Sequence, residues 1–331
     1  MNQPETTISV VIPAYNAAHF LPRSLASVFA QTLPPQEVIV VDDGSTDGTG
    51  EVAAALGARV IRQENRGLAA ARNTGIQHAT GEWIALLDAD DLWAPEKLAR
   101  QVSAIRPDTV LVYTGARHFD ENGTRAAQSA IAPPTARKML RYCNPIVPSS
   151  VLLRREAVLA AGGFREGAPA CEDWGMWVRL MPLGSFAASP EPLTNYYVHP
   201  KSMSASPGRM LEGLKAILDP ILLAGYRGIE RWSWRRRIWA TQLCSAALIA
   251  RENHLHDEIR YFLRSFAAWP SPFWQPQRYC AFAVSIRNRI RDGWVQGKRA
   301  ASALPASAAA TDHELQQQDT EVPGHDQMHP R

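Results

Sequence analysis

Trp83-Ile84-Ala85-Leu86-Leu87-Asp88-Ala89-Asp90-Asp91-Leu92-Trp93 is the stretch that decides the fold. An apolar run from Trp83 to Leu87 leads straight into three carboxylates within four positions. A run of that length, bounded by Gly81-Glu82 before and acids after, reads as a strand buried on both faces. Three acids at its tip repel one another unless positive charge sits among them. Closely spaced carboxylates beyond a strand are a natural seat for a hard divalent cation with oxygen ligands. The competing reading is a solvated loop in which Asp90 or Asp91 caps a helix starting near Pro95.

Upstream the same pattern repeats. Ile8-Ser9-Val10-Val11-Ile12 is a β-branched strand that Pro13 is expected to stop. Asn16 then reads as the cap of an amphipathic helix carrying Phe20, Leu21, Leu25, Val28 and Phe29. Val38-Ile39-Val40-Val41 forms a second strand ending in Asp42-Asp43-Gly44, and an alanine-rich helix leads to a third at Arg59-Val60-Ile61. Asn65-Arg66-Gly67 opens a helix carrying Arg72 and Asn73, and Val110 to Tyr113 reads as a fifth strand. Strands alternating with helices every ~20–25 residues predict an α/β fold with a mainly parallel, doubly wound sheet. Such sheets bind ligands beyond the carboxyl ends of their strands. Tyr15-Asn16, Asp42-Asp43, Asn65-Arg66 and Asp88 to Asp91 all fall at such ends, so the fold is expected to gather them on one edge. No GxGxxG follows the first strand and no GxxxxGK[ST] occurs. A bound nucleotide is therefore expected to rest on carboxylates, a metal and an aromatic ring.

The 331 residues suffice for one large domain and a smaller one, and a net charge of +3 selects no partner by itself. Met1 to Thr7 has no basic region followed by an apolar run, so no secretory signal is expected. Cys143, Cys171, Cys244 and Cys280 are widely spaced, without a CxxC pair or zinc spacing, which fits a reduced cytoplasmic compartment. No stretch reaches the ~18–20 apolar residues of a membrane span; Ile238 to Ala250 is too short and is interrupted by Thr241, Gln242 and Ser245.

Taken together, these residues resemble inverting family 2 glycosyltransferases of the GT-A fold. The matching pieces are Val11-Ile12-Pro13-Ala14-Tyr15-Asn16, Val41-Asp42-Asp43-Gly44-Ser45-Thr46-Asp47, and Asn65-Arg66-Gly67 with Ala71-Arg72-Asn73-Thr74-Gly75. Leu87-Asp88-Ala89-Asp90-Asp91 with Trp93 and Pro95, and Glu172-Asp173-Trp174, complete the set in the family's order. The resemblance covers about residues 6–205. It implies a nucleotide-sugar donor, UDP by family habit rather than dTDP, and a glycan or lipid-linked acceptor. Tyr15 would lie against the base and Asp43 would accept its N3–H, with Asp42 nearby at the strand tip. Arg72, and Arg66 with it, would steady the diphosphate or base. Asp88 and Asp90 would form the DXD pair, with Asp90 as direct ligand to Mn²⁺ or Mg²⁺; Asp91 either joins them or caps the next helix. His199 matches a histidine of the family near the diphosphate, although Tyr197 stands where a basic residue is usual. Asp173 would act as general base, with Glu172 as the less favoured of the pair. Gly162-Gly163-Phe164 resembles a glycine turn beside the acceptor; a plain helix stop reads equally well.

From about Pro207 helices take over. The expected division is a catalytic domain over 1–205, a basic, aromatic-rich helical extension over 206–298 and a disordered tail over 299–331. Leu255, Ile259, Phe262, Leu263 and Phe266 are expected on one face, and Tyr279, Phe282, Ile286, Ile290 and Trp294 on another. Arg231, Arg235, Arg236 and Arg237 interleave with Trp232, Trp234 and Trp239. That composition fits either a packed appendage or a face resting on anionic lipid at the inner side of the cell membrane. No nucleic-acid-binding module accompanies the arginines, so no nucleic-acid partner is expected. The alternative to an enzyme is a non-catalytic sugar-nucleotide-binding module whose helical half recruits partners.

Overall fold

A computed structural model describes residues 6–199, 202–253, 255–272 and 274–287. The tail over 299–331, together with Ile290 and Trp294, lies outside the described residues. Residues Met1–Tyr279 cluster as one compact unit, and Cys280–Arg331 as a second, of which 280–287 are described and helical.

The order of elements is β1 (Ile8–Ala14), α1 (Leu21–Phe29), β2 (Glu37–Asp43), α2 (Thr49–Ala55), β3 (Arg59–Gln63), α3 (Leu68–His78) and β4 (Trp83–Leu86). A short β5 (Leu92–Trp93) and α4 (Lys97–Ser103) follow. Next come β6 (Thr109–Asp120), β7 (Gly123–Gln128), α5 (Pro133–Met139), β8 (Val151–Arg154), α6 (Arg155–Ala160), α7 (Glu172–Leu180) and β9 (Ser185–Tyr197). The last three are helical: α8 (Pro207–Ile217), α9 (Gly228–Glu252) and α10 (Glu258–Ala268).

One sheet runs in the order β3-β2-β1-β4-β8-β6-β9-β5, with β7 hairpinned onto β6. Its first four strands are parallel, as the βαβ rhythm predicts. The other half is mixed: β8 lies antiparallel to both β4 and β6, while β9 runs parallel to β6. β1 and β4 are buried along their whole length, because helices cover both faces. Val11, Ile39, Val41, Ile84 and Leu86 point into the core on the side of α3 and α7. Ile8, Val10, Ile12, Val38, Val40, Trp83 and Ala85 point into the core under α1, α2 and α4. Each such fully buried side chain contributes about 1.5–3 kcal/mol.

Pro13 does not stop β1, which continues to Ala14 in register with Asp42. The Leu87 N–H donates to the Val11 carbonyl at 3.2 Å, the last link between β1 and the segment of β4. Two residues on, at Pro13, the backbone again faces that side, where β4 has ended, so the missing N–H costs no ladder bond. Gly75 is required by packing. A Cβ there would lie 2.3 Å from Val11 Cγ1, and its absence lets α3 sit down on β1.

The helical region packs through α9, which buries Ile238, Ala240, Leu243, Ala246, Ala247 and Ala250. Arg237 stands among Trp234, Trp269 and Trp274, 4.8–5.5 Å from their ring centres. Several of the interleaved arginines and tryptophans thus pack on one another. In α10 only Phe262 of the expected apolar face is fully buried, beside Ser265, whose hydroxyl donates to Ala240 O at 2.6 Å. Leu255 is exposed ahead of the helix, and Leu263 is exposed because α10 turns a narrower stripe toward α9 than its periodicity suggests. Among the described residues no helix is long and apolar enough to cross a membrane.

Candidate active site

The four parallel strands deliver their tips to one edge, and hydrogen bonds lace those tips together. The Asn16 N–H donates to Ser45 Oγ at 2.9 Å, and Asn16 Oδ1 accepts from the Thr46 N–H at 2.9 Å. The Ala17 N–H donates to Thr49 Oγ1 at 2.8 Å, and the Ala18 N–H to Asp47 Oδ2 at 3.1 Å. Asn16 therefore binds the β1 loop to the β2 loop and does not cap α1, whose first residue is five positions on. Tyr15 projects from this edge with 54% of its surface exposed.

Asp43 is buried at the end of β2. Its Oδ1 accepts from Gln63 Nε2 at 2.6 Å and from the Arg66 N–H at 3.0 Å, and its Oδ2 from the Gly67 N–H at 2.8 Å. A carboxylate offers about four lone-pair sites, so Oδ2 keeps an acceptor position. Asp42 accepts from the Ser45 N–H at 3.0 Å. The Arg66 side chain is turned to Glu166, 2.7 Å away at the surface.

Arg72 does not lie on the surface of α3. Its side chain is 0% exposed, with Nη2 2.7 Å from Asp88 Oδ1 and Nη1 2.6 Å from Glu172 Oε1. Burial works against its charge, but Asp88 and Glu172 more than offset this and hold the guanidinium above its ordinary pKa. Asn73, its neighbour, binds the turn after α6: Nδ2 donates to Phe164 O at 2.8 Å and Oδ1 accepts from the Phe164 N–H at 2.7 Å. A Cβ on Gly163, whose φ is +71°, would meet Asn73 Oδ1 at 2.8 Å. Gly162 and Gly163 close α6 through backbone bonds to Leu159 O and Val158 O, which is the helix-stop reading of that turn.

The acid cluster divides its tasks. Asp88 holds Arg72, and its backbone N–H donates to Ser149 Oγ at 3.0 Å. Asp90 Oδ2 lies 3.2 Å from His199 Nε2. The His199 ring is stacked against Phe20 and Tyr197, with centroids 5.8 and 5.3 Å away. Asp91 is fully buried and does not cap α4; its Oδ1 accepts from the Tyr197 N–H at 2.8 Å, while its Oδ2 has no hydrogen-bond partner. Burial, then Asp88, raises the Asp90 pKa, and burial, then Asp90 and Asp88, raises that of Asp91 well above the carboxylate range.

Among the described residues no three His, Cys, Asp or Glu side chains gather closely enough to hold a cation unaided. Asp90 and His199 do present two adjacent donors amid uncompensated negative charge. That set fits a Mg²⁺- or Mn²⁺-type ion that takes its remaining ligands from water and phosphate oxygens.

Cys171, φ +63°, turns the backbone sharply just before α7 and places Glu172 and Asp173 in that helix's first turn. A non-glycine residue in this region is strained, and such strain gathers at functional sites. Glu172 points to Arg72 and is buried. Asp173 instead borders a cavity of about 720 Å³, which also reaches His199, Asn144, His118 and Tyr196. Its Oδ2 accepts from Asn144 Nδ2 at 2.7 Å. Burial, then Glu172, pushes its carboxyl up to about 7, with Arg72 pulling the other way. Asn144, Ser149 and Gln63 were not found from the sequence, since each is an isolated polar residue far along the chain from the acid it binds.

A sequence profile described as glycosyl transferase family 2 matches residues 9–158. The UDP-Glc:alpha-D-GlcNAc-diphosphoundecaprenol beta-1,3-glucosyltransferase WfaP of Escherichia coli is 29% identical over 229 residues, covering 67% of this chain and 89% of that protein. EpsE of Bacillus subtilis strain 168 is 31% identical over 188 residues, covering 54% of this chain and 67% of that protein. The chain spans about a third of the length of two Rickettsia relatives that it also matches, 31% and 32%. The crystal structure of S. aureus TarS 1-349 in complex with UDP-GlcNAc superposes with a TM-score of 0.59 at 20% identity, covering 88% of this chain and 92% of that one. The laced strand tips, the mixed sheet of the GT-A fold and these matches lead to one assignment: the chain belongs to glycosyl transferase family 2.

Proposed function

We propose that the protein transfers a sugar, with inversion, from a nucleoside-diphosphate sugar to a hydroxyl of a glycan or lipid-linked acceptor. The observation that carries this reading is that Asp173 borders the cavity that His199, the partner of Asp90, also edges. The donor is a UDP-sugar. Its base lies along Tyr15, with Oδ2 of Asp43 accepting from the ring N3–H. Asp42 and the exposed Arg66 border the same edge.

Asp173 takes the proton of the acceptor hydroxyl at Oδ1 or Oδ2 as the hydroxyl oxygen forms its bond to the anomeric carbon. The bond from that carbon to the diphosphate oxygen breaks on the opposite face, and its electron pair leaves with the nucleoside diphosphate. Asn144 orients the Asp173 carboxylate, and its raised pKa matches a base working near neutral pH. Arg72 and Glu172 act as positioning residues, fixing Asp88 relative to α7. Mn²⁺ or Mg²⁺, held by Asp90 and His199 with Asp88 beside them, would offset the charge gathering on the departing diphosphate.

The enzyme works in the cytoplasm, peripheral to the membrane. Ile229, 83% exposed, and Trp232, 53% exposed, project from the start of α9 near Arg227 and Arg236, a face suited to anionic headgroups. The deciding experiment measures release of nucleoside diphosphate from a set of nucleotide sugars, with and without Mn²⁺, for wild type and Asp90→Ala. Mn²⁺-dependent release that Asp90→Ala abolishes is expected; metal-independent release untouched by the substitution overturns the reading.

A further inference from the structure

The cavity beside Asp173 is closed on another side by the last turn of α9, through Ile249 and Glu252, and by Asn253 just beyond it. The chemistry proposed above uses none of them. Glu252 is exposed, and its carboxylate makes no hydrogen bond or ion pair among the described residues; it acts on His118 by charge alone. Asn253 spends its Nδ2 on Ile249 O, 2.9 Å away, which leaves Oδ1 as an acceptor. Arg125, the arginine of the lining, is already paired, with Nε 2.6 Å from Asp120 Oδ2. With Arg125 neutralised by Asp120, Glu252, joined by Asp173 once that is deprotonated, leaves the cavity net negative, which repels a phosphate or a uronate and admits a neutral polyol. His118 and Tyr196, edge to face at 5.3 Å, add an aromatic wall on which the apolar face of a sugar ring can lie. The volume falls within the ~300–1,000 Å³ of small-molecule sites.

We infer that α9 is an acceptor-specificity wall: an uncharged pyranose of the acceptor binds in this cavity, and Glu252 accepts hydrogen bonds from its hydroxyls. The inference rests on the glycosyl-transfer reading. It makes the helical region part of the substrate site, and Glu252 a specificity-determining residue. If the acceptor carries a diphosphate, that group stays outside this cavity.

The test uses the full chain, Mn²⁺, UDP- and dTDP-sugars as donors, and a panel of p-nitrophenyl pyranosides as acceptors. The neutral members are the glucoside, galactoside, mannoside and N-acetylglucosaminide; the anionic member is the glucuronide. At least one neutral pyranoside is expected to accelerate release of nucleoside diphosphate, and the glucuronide not to. Losing a hydrogen bond to a charged acceptor is worth roughly ten- to hundredfold in affinity. Glu252→Ala should therefore raise the KM for that pyranoside about tenfold or more and shift the donor KM less than about twofold. Glu252→Gln should recover part of the loss, and Glu230→Ala, at the far end of α9, should leave the acceptor KM in place. Preference for the glucuronide, no response to any neutral pyranoside, or equal shifts in donor and acceptor KM would each overturn the inference. Absence of release from every donor by the wild type would overturn the glycosyl-transfer reading itself, and this inference with it.

Discussion

Arg72 and Glu172, 100 positions apart in the chain, meet at 2.6 Å with the guanidinium wholly buried. The same guanidinium holds Asp88 at 2.7 Å, so one side chain on α3 links the acid cluster after β4 to the first turn of α7.

Removing Arg72 leaves the Glu172 carboxylate buried without its partner. Breaking a buried pair in this way costs about 3–5 kcal/mol, far more than the ~0–1 kcal/mol of an exposed pair. Arg72→Met is expected to lower stability by that amount in urea unfolding. Substitution of the exposed pair, Arg66→Met, should change stability by about 1 kcal/mol or less. Equal effects at the two sites would show that the buried bridge has no special weight.

Asp173 should impose a pH dependence on turnover. As a base it works deprotonated, so kcat/KM should climb tenfold per pH unit below about 7 and level off above it. Asp173→Asn should lose roughly 10²–10⁴-fold in rate and the pH step with it. Stability runs in the opposite sense. A folded pKa raised above the unfolded value means the native state binds more protons between the usual aspartate range and about 7, so stability falls as pH rises through that window. Thermal melts at pH 5 and pH 8 should show Asp173→Asn gaining most on the parent at pH 8.

Asp90 and His199 should govern the metal-dependent part of nucleotide binding. In calorimetric titrations Mn²⁺ is expected to tighten UDP binding by the wild type. The gain should shrink about tenfold or more in Asp90→Asn and His199→Ala, since the ion would keep fewer protein donors. A gain of full size in both variants would rule out the assigned pair.

Gly75 offers a test of the packing that seats α3. Alanine there would bring a Cβ within 2.3 Å of Val11 Cγ1. Overpacking costs about 1–3 kcal/mol, against the ~1 kcal/mol that alanine gains over glycine inside a helix. Gly75→Ala is therefore expected to destabilise in urea, by up to about 2 kcal/mol. A stabilised variant would show that α3 can ride up without penalty.

Much of this protein could be read along the chain. The apolar runs Ile8–Ile12, Val38–Val41 and Trp83–Leu87 were expected as strands, and all three lie in the parallel half of the sheet. Their polar ends followed, because a parallel βαβ order must bring carboxyl ends to one edge. The mixed half was less legible: β8 inserts between β4 and β6, a pairing fixed by distant partners that no local periodicity encodes.

Residue type and spacing by themselves determined the strands, the acid cluster and the family pattern, since those depend on neighbours a few positions apart. Tertiary structure alone decided which acid does what. It sent Glu172 to Arg72 and Asp173 to the cavity, set Asp91 against the Tyr197 backbone, and brought His199 to Asp90 across 109 positions. The physical reason is that the roles of like carboxylates differ only by burial and by the groups facing them, and both arise when distant segments pack.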